Sequence, residues 1–166
     1  MTVIDFINFH LVPGLVLGAI YALGAIGITM IYGILRFAHF AHGDMATLGA
    51  FLVLSIVTTS GLNPWAALPL AMLIMAALAI GIDKVFYEYL RKRPMILTVM
   101  ASLGMALMLR AVVQMVWGTD PTTYTRGITR PESYFGILLR PREIYTLLTA
   151  VGLVVALMAF LKLSKW

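Results

Sequence analysis

Between Leu11 and Leu35 the chain carries no charged residue, and four more apolar blocks of similar character follow. At about 1.5 Å per residue, a helix over such a block is as long as the roughly 30 Å hydrocarbon core of a bilayer. A soluble domain of this length would alternate polar and apolar residues at a period of 3.6 or 2. Composition agrees: 61% of the 166 residues are apolar, 11% are charged, and the mean hydropathy is +0.97. The expected fold is all-α, a polytopic integral membrane protein of about five transmembrane helices, with residues 1–166 forming a single transmembrane domain. The net charge of +5 is scattered through short segments between the blocks. That distribution argues against a nucleic-acid partner and for orientation signals. There is no Cys, which leaves no disulfide, thiolate metal site or cysteine nucleophile. Met1 to His10 lacks the Lys or Arg of a cleavable leader, so the first helix is expected to stay in the mature protein.

The first block runs from about Phe6 to Leu35. Within it Gly14, Gly18 and Ala22 line one helix face, where small residues let two helices approach closely. The second block covers about Met45 to Leu62 and is followed by Asn63-Pro64, a turn and helix-start signal. The third covers about Trp65 to Ile82 and passes into Asp83 to Arg93, where charges alternate with aromatics as at a membrane boundary. Pro94 suits the first turn of a fourth block, about Met95 to Trp117. A polar loop from Asp120 to Glu143 leads to the fifth block, about Ile144 to Leu161.

The densest polar cluster of the first half is Arg36-Phe-Ala-His-Phe-Ala-His-Gly-Asp44. It must be an interfacial segment or a re-entrant helix break, at which Gly43 allows backbone conformations that other residues resist. Three chemistries compete for it. His39, His42 and Asp44 have a spacing that suits a metal, and His39 with Asp44 matches the HxxxxD spacing of membrane acyltransferases, where a histidine base is oriented by the acid. The third reading, preferred here, is a structural break with no chemistry of its own. Further along, Arg110 lies two thirds of the way through the fourth block with Gln114 one turn on. An ionisable residue there faces a polar path or reaches for the interface. Tyr21, Thr29 and Tyr32 form a polar stripe on the first block, suited to lining a path or to interhelical hydrogen bonds.

Several of these segments together resemble a known family. Tyr21-Ala22-Leu23, Gly27, Ile31-Tyr32-Gly33, Phe40-Ala41-His42-Gly43-Asp44 and Leu48-Gly49-Ala50-Phe51 occur in the order of the N-terminal signature of LivH-type branched-chain amino acid permeases. Asp83-Lys84, Tyr87 to Arg91 and Ala101-Ser102-Leu103-Gly104 extend the resemblance over about the first 120 residues. It implies a permease subunit of an ABC importer in the bacterial inner membrane, forming part of the path for branched-chain amino acids or a related small polar solute such as urea or amides. The implied partners are a second permease subunit, two ATP-binding subunits and a periplasmic substrate-binding protein, in a lipid bilayer. The permease itself would be no enzyme and hold no cofactor, since ATP is bound by the separate subunits.

The chain departs from the family pattern at His39, where Asn is usual, and at Arg110, where a neutral polar residue is typical. Members are also longer, so the resemblance covers an N-terminal half, and the chain alone is expected neither to transport nor to bind an ATPase. The alternatives are an acyltransferase-like membrane enzyme using His39 and Asp44, or a non-transporting remnant.

Arg36, Lys84, Arg91, Lys92, Arg93, Lys162 and Lys165 fall on one side of the expected spans, and Arg126, Arg130, Arg140 and Arg142 on the other. The first side is therefore expected to be cytoplasmic and the N-terminus outside. Since the chain lacks Cys, single cysteines report this directly. Ser60→Cys is expected to react with an impermeant reagent from outside and Lys92→Cys only after permeabilisation; the reverse pattern would invert the topology.

Overall fold

Each apolar block closes into one helix, because backbone in hydrocarbon must satisfy its own hydrogen bonds. A computed structural model describes residues 3–123, 132–134 and 137–163. The helices are α1 (Ile4–Leu35), α2 (His42–Ser60), α3 (Pro64–Leu90), α4 (Met95–Trp117) and α5 (Pro141–Leu163), and all five are long and apolar enough to cross a membrane. The chain is thus a multi-pass helical membrane protein, as the block lengths require. α1 widens into a π turn at Ile7–Leu11 and α3 at Asp83–Tyr87. Part of the 120–143 loop forms an antiparallel pair, β1 (Glu132–Tyr134) with β2 (Ile137–Leu139), in which Ser133 faces Leu138. The loop's Arg126 and Arg130 lie outside the described residues.

Local chemistry accounts for the ends. The Asn63 side chain accepts from Trp65 N–H at 3.2 Å while Pro64 takes the first helical position of α3, where its missing N–H costs nothing. Gly61 ends α2 in the left-handed region at φ 66, with its N–H returned to Val57 O at 3.0 Å, the usual glycine stop. Pro94 stands one residue ahead of α4 and not within its first turn. Glu143 reaches back to Arg140 N–H at 3.0 Å and caps α5.

Two compact units divide the chain: Met1–Gly27 with Gly127–Trp166, and Ile28–Arg126. In the first, Phe6 stacks on His10 with ring centroids 5.3 Å apart, and β2 lies beside the Ile7–Leu11 turn. The second holds the end of α1 and all of α2, α3 and α4, with α4 at its centre. A third of the most apolar window of α4 is buried, against 6–11% for the other four helices. Its buried residues Thr98, Ser102, Met105, Leu109 and Val113 recur at three and four residues, one helical face. Where α2 meets α3 the close contact is made by Val53, Ala67 and Ala71, all buried, and Gly49 admits the Met75 side chain, so alanine and glycine both supply the small-residue approach inside this unit.

Three polar contacts set α2 and the segment just before it against α4. Ser102 Oγ accepts from Phe40 N–H at 3.3 Å, Arg110 Nε donates to Asp44 Oδ1 at 3.1 Å, and Trp117 Nε1 donates to Ser55 Oγ at 2.7 Å. Partners rise together along both segments, so α2 and α4 run parallel. Ser102 lies about 10 Å along α4 from its start, at about 1.5 Å per residue. The 36–41 segment therefore climbs from the end of α1, near Met95, to a recessed start of α2.

Ser102 is fully buried. Replacing it by Ala removes the partner of Phe40 N–H, a loss of about 0.5–1.5 kcal/mol for a typical hydrogen bond, since Phe40 itself is exposed. Ser102→Ala is expected to lower the thermal midpoint of unfolding in detergent, while Ser60→Ala at the exposed end of α2 leaves it near the parent value. Equal midpoints for the two variants would remove the role given to Ser102.

Candidate functional site: the helix break and the Asp44–Arg110 pair

Irregular backbone between spans is tolerated where protein satisfies it, and the 36–41 segment shows how. Arg36 N–H returns to Tyr32 O at 2.8 Å, Phe40 N–H goes to Ser102, and Met45 N–H reaches Ala41 O at 2.9 Å. The Ser102 hydroxyl is 2.8 Å from Val99 O and 3.4 Å from Ala38 O, two acceptors for its one proton. The residue in the left-handed region is Arg36, at φ 56. Gly43 is not needed for its conformational freedom. Together with His42 and Asp44 it forms the first turn of α2, so the break ends at Ala41, which is fully buried.

His39 points into an aromatic nest. Its ring centroid is 5.0 Å from that of Tyr87 and 5.7 Å from that of Phe37. Burial pushes the imidazole below its ordinary value, opposed by a backbone hydrogen bond and by Asp83 and helped by the nearby His42. The ring is neutral at pH 7, and among the described residues its Nδ1 and the Tyr87 hydroxyl have no hydrogen-bond partner. This is not the oriented, substrate-facing base of the acyltransfer reading. The carboxylate that reading assigns to His39 is bonded to Arg110. Among the described residues no three His, Cys, Asp or Glu side chains gather as a metal would need.

Asp44 and Arg110 come together from 66 residues apart. The Asp44 side chain retains 14% exposure and that of Arg110 63%. Asp44 stands in the first turn of α2, where the helix dipole favours an anion by about 0.3–1 kcal/mol. The pair lies on a cleft of about 310 Å³ whose wall mixes Thr47, Gln114 and Thr119 with the apolar Phe51 and Val113. Arg110 and Gln114 thus share one surface, as their spacing implies, and the acid of the signature joins them there. Thr29 and Tyr32 are exposed on α1 and do not line this cleft; Tyr21 is also exposed. Gly14, Gly18 and Ala22 are exposed, and among the described residues nothing comes within 4 Å of a Cβ built on either glycine. Ser102 and Tyr87 were not singled out from the sequence, although both fall inside segments that carry the resemblance.

A family model described as branched-chain amino acid transport system / permease component matches residues 10–166. The chain is 32% identical over 114 residues to the high-affinity branched-chain amino acid transport system permease protein BraD of Pseudomonas aeruginosa and to LivH of Salmonella typhimurium. It is 31% identical over 114 residues to LivH of Escherichia coli K12. Each match covers 64% of this chain and 37% of the relative, so the matched part is little more than a third of those proteins. No solved structure matches the chain.

The Asp44–Arg110 contact predicts non-additive losses. Asp44→Asn and Arg110→Gln are each expected to lower the thermal midpoint, and the double variant to lose less than the sum. A coupling of about 1 kcal/mol is expected, toward the low end for contacting residues because Arg110 is open on one side. Strictly additive losses would mean that the two side chains do not interact in the membrane.

Proposed function

We infer the function from the family: the chain belongs to the branched-chain amino acid transport permease components, and its role is that of a membrane permease. From that premise we propose that it forms part of the path by which a bacterial ABC importer moves branched-chain amino acids across the inner membrane. The observation that carries this reading is the Asp44–Arg110 ion pair on a cleft of an otherwise apolar helical unit. Ionisable groups at such positions belong to solute and ion pathways far more often than to lipid-facing surfaces. An amino acid carries an ammonium and a carboxylate, and a paired carboxylate and guanidinium offer a partner of opposite sign to each. Thr47 and Gln114 add neutral hydrogen-bonding groups on the same wall.

In this assembly a second permease subunit completes the path, with Gly14, Gly18 and Ala22 offering it a close-packing face. Two ATP-binding subunits bind the nucleotide, and a periplasmic binding protein delivers the solute. On this reading the turn between α3 and α4 lies in the cytoplasm and the N-terminus outside, a placement supported by the run of basic residues at Arg91 to Arg93. The permease moves its solute without covalent chemistry.

Uptake of radiolabelled leucine tests the proposal, with urea and acetamide as parallel solutes, in cells with the gene deleted and then restored. Deletion is expected to abolish the high-affinity leucine component. Arg110→Gln in the restored gene is expected to lower uptake by roughly tenfold at unchanged protein level, less than the loss for a fully buried pair. Unchanged leucine uptake on deletion, with urea or acetamide uptake lost, would move the chain to a different solute class.

A further inference from the structure

The turn joining α3 to α4 carries Arg91, Lys92 and Arg93 in succession. Arg91 is neutralised at short range, its Nη2 lying 2.7 Å from Asp83 Oδ2. Arg93 is held differently: its Nη2 donates to the Tyr89 hydroxyl at 3.2 Å, and its guanidinium carbon lies 5.6 Å from the centre of the Tyr89 ring. The side chain is oriented, yet among the described residues neither Arg93 nor Lys84 nor Lys92 makes an ion pair.

Arg93 lines two clefts. One, of about 540 Å³, gathers Lys84, Lys92 and Arg93 around the single acid Glu88 and the Tyr89 ring. The other, of about 520 Å³, is walled by Ile34, Leu35, Phe37 and Met95, with Arg91 and Arg93 at its rim. Ile34 is 76% and Met95 59% exposed, so the apolar wall is open to whatever surrounds the helices. α3 and α4 are both spans, which puts their connecting turn at the membrane boundary, the level of lipid headgroups.

We propose that this turn is a binding site for an anionic phospholipid, with Arg93 as the anchor for the headgroup phosphate and the wall of Ile34, Leu35 and Met95 as the bed for an acyl chain. A soluble phosphate would use the cations but has no use for the wall. A zwitterionic lipid would fill the wall, but its own cation opposes the surplus of Lys and Arg. An anionic lipid satisfies both halves of the surface at once, and Tyr89 fixes the guanidinium before the lipid arrives.

The test uses the whole chain in phosphatidylcholine vesicles, with Leu97→Cys, in the first turn of α4 that carries Met95, labelled by a small fluorophore and brominated lipids as quenchers. Brominated phosphatidylglycerol is expected to quench at about fivefold lower mole fraction than brominated phosphatidylcholine, the ratio that about 1 kcal/mol per basic residue near anionic lipid gives. Arg93→Gln is expected to bring the two lipids to parity, and Arg93→Lys to keep part of the preference because the charge remains. An excess of inorganic phosphate is expected to leave the quenching in place. Parity of the two lipids in the parent chain would overturn the proposal. So would a preference that survives Arg93→Gln, or equal loss in both variants with helical circular dichroism intact. Displacement by inorganic phosphate would identify a free-phosphate site and refute the lipid.

Discussion

A chain that leaves the helical state between two spans must find a partner for every backbone group it frees, and in this protein one serine hydroxyl does much of that at residues 36–41. Ser102, fully buried on the central helix α4, accepts the Phe40 N–H and lies within reach of the Ala38 carbonyl. The cost of an unsatisfied amide in an apolar surround is large against the net value of a typical hydrogen bond, so this contact decides where the break can sit. It fixes the start of α2 partway along α4, and the two helices then run parallel with Asp44 level with Arg110 and Ser55 level with Trp117. Apolar packing fills in between: Ala41, Leu48, Met105 and Leu109 form one buried cluster beneath the polar contacts.

The electrostatics follow from that register. A carboxylate in the first turn of α2 is favoured by the helix dipole but still needs a counter-charge in a low-dielectric setting. Arg110 supplies it from α4. Arg110, unexpected on the resemblance read from the sequence, is therefore the partner of the signature's acid. The other departure, His39, is accommodated among Phe37 and Tyr87, where the π turn of α3 at Asp83–Tyr87 brings a buried tyrosine to the break. Both unusual residues act inside one unit, and both act through contacts with the break or with the first turn of α2.

The spans were readable from sequence because a helix that crosses a bilayer needs about twenty apolar residues and little else; Met95 to Trp117 has the same limits in the structure as in the sequence reading. The family was readable because its signature between Tyr21 and Phe51 is ordered and dense. The pairings were not. Phe40 with Ser102 and Asp44 with Arg110 are separated by more than sixty residues, and neither helical periodicity nor composition carries a term for which face meets which. The HxxxxD spacing joined Asp44 to His39 because they are close in sequence, whereas the fold sends the imidazole to an aromatic nest and the carboxylate to α4. Gly43 drew attention as a flexible residue, yet the chain places its left-handed turn at Arg36, where no residue-type signal marks it. The short β1–β2 pair lay in a stretch read only as polar loop.

The parallel register of α2 and α4 is the claim on which the site depends, and the absence of native Cys lets paired cysteines measure it. Positions 44 and 55 lie about 16 Å apart along α2 at about 1.5 Å per residue, so a short bifunctional thiol reagent distinguishes the rungs. In native membranes the pairs 44 with 110 and 55 with 117 are expected to cross-link, while 44 with 117 and 55 with 110 stay free. Cross-linking of the exchanged pairs in place of the matched ones would contradict the account, since it would mean that the two helices run antiparallel and that Asp44 and Arg110 do not meet.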